Sequence, residues 1–321
     1  MKIFLTGGTG QVGFELQRSL APLGEVVAPT RAQLDLTDLN QVARVLRQLA
    51  PDVIINAAAW TAVDAAETQQ AQAYVLNAEL PEQLAYYARR CGALLLHYSS
   101  DYVYAGDGGR PYHENDACLP LSVYGKSKLA GDQAIIDSRC SHLIFRTSWV
   151  YSARGNNFLN TMLRLGRERS ELKVVNDQIG APTPARLIAQ VTALALCQEV
   201  TPCPSSAKRL PLTPPTLSGI YHLASRGETS WHGFAQEIFR QAAELGEPLA
   251  IRPEGVLPIP SQDYPTPAER PLNSRLRLTK LETVLGLGLP DWQQGLAATL
   301  SERQGLALWQ QQSKSTTCEA P

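Results

Sequence analysis

Short apolar runs alternate with helical patterns from the first residue to about position 148. Lys2-Ile3-Phe4-Leu5-Thr6, Glu25 to Pro29, Asp52-Val53-Ile54-Ile55-Asn56, Ala93 to Ser100 and His142-Leu143-Ile144-Phe145-Arg146 read as strands. Between them, Phe14, Leu16 and Leu20 mark one helix, and others follow at about 38–49 and 66–90. The segment 121–138 carries Leu129, Ala130, Ala134 and Ile135 at roughly helical intervals. Strands separated by helices of this length predict a Rossmann-type α/β fold, a doubly wound parallel sheet with right-handed crossovers.

Beyond 148 the pattern loosens. Helices are expected at Phe158 to Arg167, Ala185 to Gln198 and 230–244, and strands at Leu172 to Val175 and Gly219 to Leu223. The segment 201–217 is rich in proline and polar residues and reads as a flexible insertion with no core role. A second proline-rich region covers about 252–271, and the polar tail 305–321 is expected to fray. The division that follows is an NAD(P)-binding domain over 1–150, with 175–200 adding to it. A smaller substrate-binding lobe, mainly 151–300, should lie over the carboxyl edge of the sheet.

Composition changes this picture little. The chain of 321 residues is 44% hydrophobic with a formal net charge of −1, and no basic tract points to nucleic acid or a membrane surface. The first apolar run is far too short for a signal peptide, and no run approaches spanning length. The six cysteines have no C-x-x-C spacing, so the expectation is reduced thiols in a cytoplasmic protein with no metal site.

The candidate chemistry lies at strand ends. Gly7-Gly8-Thr9-Gly10-Gln11-Val12-Gly13 joins the first strand to the first helix. Glycines there allow a tight turn and a close approach to a pyrophosphate, which the helix N-terminus attracts. Thr9, Gln11 and Val12 go with Gly7, Gly10 and Gly13 as cofactor-loop residues. An acid for an NAD ribose is missing from the end of the second strand, where Pro29-Thr30-Arg31 stands. A hydroxyl and the Arg31 guanidinium suit a 2′-phosphate, so NADPH is favoured and NADH stays open. Asp35 and Leu36 are placed at the adenine, although Asp35 also reads as a turn residue before the next helix. Ala57-Ala58-Ala59-Trp60-Thr61 follows the third strand, and its small residues would let a flat ring lie close to backbone.

Ser100 ends the strongly apolar fourth strand, where open α/β sheets bind ligands. Tyr124 and Lys128 are four apart and share a helix face. An ammonium beside a phenol should lower the phenol pKa from about 10, making Tyr124 a general acid/base. The pair is a weak signal alone and gains weight from the glycine loop.

With these motifs, the sequence resembles the extended short-chain dehydrogenase/reductases and, within them, the dTDP-4-dehydrorhamnose reductase family. The resemblance runs from Met1 to about Leu300. It is carried by the glycine loop and by Asn56-Ala-Ala-Ala-Trp-Thr-Ala-Val-Asp64, Ser99-Ser-Asp-Tyr-Val-Tyr104, Tyr124-Gly-Lys-Ser-Lys-Leu-Ala-Gly131, Arg146-Thr-Ser-Trp-Val-Tyr151, Asp177-Gln-Ile-Gly-Ala-Pro-Thr183 and Arg270-Pro-Leu-Asn-Ser274. It implies reduction of a dTDP-4-dehydro-sugar at C4. Tyr124 would be the proton donor, Lys128 would hold the nicotinamide ribose, and Ser100 would hydrogen-bond the carbonyl oxygen. Asp101 would bind a sugar hydroxyl and Trp149 would stack on the sugar, with Val63 and Asn157 as further wall residues.

There are departures from the family pattern. Ser100 stands where threonine is common and Trp60 where His or Tyr is usual. Some relatives dimerise through magnesium held by acidic residues; Arg186 falls where such an acid is expected, which puts a magnesium-linked dimer in doubt and leaves a homodimer open. Two other functions stay open. One is a different nucleotide-sugar reductase or epimerase. The other is a non-catalytic NADP-binding regulator resembling the regulatory subunit of methionine adenosyltransferase, against which intact Ser100, Tyr124 and Lys128 argue.

Overall fold

The computed structural model describes residues 1–199 and 217–316. Strands β1 (Lys2–Thr6), β2 (Glu25–Val27), β3 (Val53–Asn56), β4 (Leu94–Ser100) and β5 (His142–Thr147) join the strand Gly219–His222 in one sheet. All pairings are parallel, and the spatial order is β2, β1, β3, β4, β5, then Gly219–His222. The order reverses between β1 and β3. In open α/β sheets ligands bind at such a switch point, beyond the carboxyl ends of the strands.

Strand alternation divides the core. Ile3 and Leu5 face one side with Leu16 and Leu20 of helix α1 (Gln11–Leu20), and with Ile188 and Leu196 of the helix Ala185–Glu199. Phe4, between them in sequence, faces the other side with Leu46 of helix α2 (Leu39–Leu49), Leu84 of Leu80–Cys91 and Ile135 of Val123–Ser138. Asp38 caps α2 by accepting from the Gln41 N–H at 2.9 Å. Ser122 does the same for the Tyr124 helix through the Gly125 N–H at 3.2 Å.

A second core lies in the lobe. The helices Phe158–Glu168, Trp231–Glu244 and the first turns of Trp292–Thr316 enclose Leu159, Leu163, Phe234, Phe239, Leu296 and Leu300.

Several features differ from expectation. The helix expected over 66–90 is broken into Val63–Thr68, Gln70–Tyr74, a π-helical turn Val75–Glu79 and Leu80–Cys91. The proline-rich 252–271 contains a strand, Val256–Ile259, paired in parallel with Leu172–Val175. Gly219–His222 is the sixth strand of the main sheet rather than part of the lobe. The insertion expected at 201–217 lies outside the described residues except for Leu217, which is buried in the sheet's core and donates its N–H to Glu199. The final helix continues to Thr316, past the position where fraying is expected; 292–316 lacks proline and is rich in Ala, Leu and Gln.

Candidate active site

The glycine loop sits at the switch point. Gly7 has φ +70°, and a Cβ on it would stand 2.6 Å from the Ala57 carbonyl. A Cβ on Gly13 would stand 2.1 Å from the Gly7 carbonyl oxygen. Bare backbone is thus required where the first turn of α1 packs on the loop. Gly10 is the N-cap and offers no side-chain partner, so the N–H groups beginning α1 remain available to an anion. Gln11 reaches across to the lobe, where its Oε1 accepts from Ser152 Oγ at 3.1 Å and from Asn157 Nδ2 at 2.8 Å. Val12 packs on the sheet core beside it, and Thr9 is exposed on the loop. These features form a cradle suited to a dinucleotide pyrophosphate.

Arg31 is exposed beyond the end of β2. Thr30, expected with it, engages Gln33 Oε1 at 3.0 Å. Asp35 accepts from the N–H of Thr37 at 3.0 Å and from its hydroxyl at 2.8 Å, which closes a turn ahead of α2. Those bonds hold its carboxyl below the usual range. Leu36 packs against the core on the α2 side. Ala57, Ala58 and Ala59 are half-buried, and Thr61 is exposed.

Ser100, Asp101 and Tyr124 meet at the carboxyl end of β4. Ser100 Oγ donates to Asp101 Oδ1 at 3.0 Å and accepts from the Tyr102 N–H at 3.2 Å, and it lies close enough to Tyr124 to favour its charged form. The Tyr124 ring meets Tyr102 edge-on, 5.4 Å between centroids. Asp101 is 2% exposed, and its Oδ2 has no hydrogen-bond partner. Burial lifts its pKa to about 6, against the opposing pull of the nearby Ser274 and Ser100 hydroxyls.

Lys128, one turn below Tyr124, donates to the Tyr98 carbonyl at 2.7 Å and lies 3.2 Å from His97 Nε2. This corrects the expected phenol chemistry. The ammonium is drawn to the strand, and burial pushes the Tyr124 pKa well above 10 rather than below it. Burial also brings Lys128 down to about 8. Tyr124 is therefore a neutral acid at working pH, the state from which a proton can be donated.

Trp149 has φ +48° and stacks on Trp231 at 3.7 Å between centroids. Gly180 backs it, since a Cβ there would come within 2.7 Å of the indole. The neighbouring Ile179 carbonyl accepts from the Ser274 N–H at 2.7 Å, which links Trp149 to the Asp101 side of the site. Val63 opens the helix Val63–Thr68. Asn157 is consumed locally: it caps the helix Phe158–Glu168 and donates to Gln11.

Sequence reasoning missed Asn77. It is fully buried in the π-helical turn; its Oδ1 accepts from the Trp60 N–H at 2.9 Å, and its Nδ2 donates to the Trp60 carbonyl and to Ser127 Oγ, each at 3.0 Å. It thereby ties the small-residue loop to the Tyr124 helix. An asparagine inside an apparent long helix was the available signal. His97, Asp132 and Arg146, all buried below Lys128, were equally unmarked.

Glu15 and Glu302 are acids paired with Arg186. Arg186 lies between them, with Nε 3.3 Å from Glu15 Oε2 and Nη2 2.6 Å from Glu302 Oε1. Among the described residues no group of three or more His, Cys, Asp or Glu side chains could hold a metal ion.

A parallel sheet with a glycine cradle at its switch point, and a Ser–Tyr–Lys set at the end of β4, are features of an extended short-chain dehydrogenase/reductase. Comparison with known proteins narrows the class. Residues 1–304 match the family described as RmlD substrate binding domain. The dTDP-4-dehydrorhamnose reductase of Escherichia coli K12 is 47% identical over 306 residues, 94% of this chain and 98% of that protein. The crystal structure of a dTDP-4-dehydrorhamnose reductase from Clostridium acetobutylicum superposes with a TM-score of 0.83 at 35% identity, covering 95% of this chain and all of that one. The Bacillus anthracis reductase, solved in complex with NADP, superposes at 0.80 with 34% identity, covering 94% of this chain and 99% of that one. The chain belongs to the dTDP-4-dehydrorhamnose reductase family.

Proposed function

We propose that this protein reduces dTDP-4-dehydro-β-L-rhamnose to dTDP-β-L-rhamnose with NADPH, as a cytoplasmic enzyme of nucleotide-sugar synthesis. The observation that carries the reading is an intact Ser100–Tyr124–Lys128 set beside a glycine cradle, in a chain 47% identical to the E. coli reductase. No helix among the described residues is long and apolar enough to cross a membrane.

The cradle of Gly7, Thr9, Gly10, Gln11, Val12 and Gly13 would hold the cofactor's pyrophosphate, with Arg31 on a 2′-phosphate and Asp35 and Leu36 toward the adenine. Ala57, Ala58, Ala59 and Thr61 would flank it, and Lys128 would bind its nicotinamide ribose. When bound, NADPH supplies the hydride equivalent for the C4 carbonyl. Ser100 turns its proton from Asp101 to the carbonyl oxygen and stabilises charge that grows there. Tyr124, held neutral by burial, gives its proton to the same oxygen. Asp101 offers its unpartnered Oδ2 to a sugar hydroxyl, and Trp149, braced by Trp231, covers an apolar face of the sugar. In this reading residues 1–150 and 175–200 bind cofactor, and most of 151–300 closes over the sugar.

The test is NADPH oxidation with dTDP-4-dehydro-L-rhamnose made in situ, with NADH in parallel and the product identified. Turnover to dTDP-L-rhamnose is expected. Tight NADPH binding without turnover would favour another keto sugar or a regulatory role.

A further inference from the structure

Below Lys128 a line of buried polar side chains crosses three strands of the sheet. Thr6 Oγ1, at the end of β1, is 2.7 Å from Asn56 Oδ1 on β3. Asn56 Nδ2 is 3.1 Å from His97 Nδ1 on β4, and His97 Nε2 is 3.2 Å from Lys128 Nζ. All four residues are at most 1% exposed. Thr6 Oγ1 also accepts from the Ala58 N–H at 3.3 Å, in the small-residue loop beside the glycine cradle.

Donor counting gives this line a direction. An ammonium only donates, and a neutral imidazole carries one N–H. If Lys128 is charged, His97 must accept at Nε2 and carry its proton on Nδ1. Asn56 must then turn its carbonyl to His97 and its NH2 to Thr6. If Lys128 is a neutral amine, His97 carries its proton on Nε2 and donates to the Nζ lone pair, while Asn56 presents Nδ2 to Nδ1. Both arrangements keep the contacts of the line; in the first, Thr6 Oγ1 accepts from Asn56 as well as from the Ala58 N–H, and the Thr6 proton leaves Asn56 for another acceptor.

We infer that His97 is a positioning residue for the reduction, fixing the place and protonation of Lys128 through its own tautomer, with Asn56 selecting that tautomer. The inference rests on the reductase reading of the Tyr124 site. The groups facing Lys128 permit it. Its own helix brings Tyr124 and Asp132, β4 brings His97 and the Tyr98 carbonyl, and β5 brings Arg146. Asp132 Oδ2 is taken by Ser99 at 2.9 Å and by Arg146 Nε at 3.1 Å. Asp132 Oδ1 stays 3.9 Å from His97 Nε2, beyond hydrogen-bond reach. Asp132 pairs with Arg146 and acts on Lys128 only through its charge, which favours the ammonium, whereas His97 lies within hydrogen-bond distance of Nζ. Burial keeps His97 neutral and brings Lys128 to about 8, so the lysine changes state in the range where the tautomer can follow.

Two measurements test this. In the full-length protein with 15N-labelled histidine, the His97 signal is assigned by its absence from a His97→Gln spectrum. It should remain neutral, with the proton on Nδ1 at low pH and moving to Nε2 as Lys128 deprotonates. An imidazolium, or one tautomer throughout, would overturn the inference. Separately, the alkaline limb of kcat is followed in variants. His97→Leu removes the acceptor and should lower that limb by about one pH unit, and His97→Gln should restore most of it. Asn56→Asp, which can only accept from Nδ1–H, should raise it by about one pH unit. A folded His97→Leu protein with an unmoved limb, or all three variants shifting in one direction, would contradict the assignment. If His97→Leu does not fold, Asn56→Asp and the spectrum decide. A wild-type protein without reductase activity would sink the functional reading and leave the spectrum to judge the tautomer.

Discussion

Replacing Asp101 with asparagine should remove a pH dependence from the stability of this fold. The carboxyl is buried, with one oxygen on Ser100 and the other without a partner. Its pKa of about 6 stands above the ordinary value of 3.8 chiefly because burial penalises the charged form. Between these values the folded protein keeps a proton that the unfolded chain has released. The resulting stabilisation is complete below the unfolded value and is lost as the pH rises through about 6. A rise from 3.8 to about 6 corresponds to about 3 kcal/mol over the full range, of which about 2 kcal/mol remains at a pH of about 4.5. Asn has the same shape and does not titrate. Urea unfolding of both proteins at a pH of about 4.5 and of about 8 isolates the group. The wild type should lose about 2 kcal/mol relative to Asp101→Asn between the two. An equal difference at both pH values would mean that Asp101 titrates as an exposed carboxylate, and the account of its burial would be wrong. The same variant should raise KM for the sugar by about tenfold, because the unpartnered oxygen is lost as an acceptor for a hydroxyl.

Other substitutions probe separate parts of the site. Gly13→Ala forces a methyl within 2.1 Å of the Gly7 carbonyl oxygen, and NADPH titration should show affinity weakened by about 100-fold, with about 2 kcal/mol of stability lost; unchanged binding would mean that the loop is not the cradle. Arg31→Ala should raise KM for NADPH by about tenfold and leave that for NADH unchanged, measured by parallel initial rates. Asn77→Leu removes three hydrogen bonds between the Trp60 loop and the Tyr124 helix, and should cost about 3 kcal/mol in urea unfolding together with a fall in kcat.

The sheet was legible because its strands are short apolar runs with turn residues at their ends, and the cradle because glycine spacing is dictated by local backbone geometry. The Tyr124–Lys128 pairing was legible as a spacing, but its electrostatic consequence was not. Four residues on a helix put the two side chains on one face, yet only the assembled sheet shows that Tyr98 and His97 draw the ammonium inward. The π-helical turn at Val75–Glu79 escaped notice because Asn77, its one local mark, meets partners that lie 17 and 50 residues away in the chain, Trp60 and Ser127. Val256–Ile259 was hidden by Pro258 and by a partner strand more than 80 residues away. The Trp149–Trp231 stack likewise joins positions whose meeting no local pattern encodes. Arg186 was noticed as an anomaly, and the structure supplies its role as the cation between Glu15 and Glu302.

The central claim is that Tyr124 delivers the proton in the reduction. It is tested most directly by Tyr124→Phe in single turnover with NADPH and dTDP-4-dehydro-L-rhamnose, beside a direct titration of NADPH. The account predicts a rate lower by about 10³ with NADPH affinity within about threefold of wild type. A variant that binds NADPH and still turns over at the wild-type rate would contradict it.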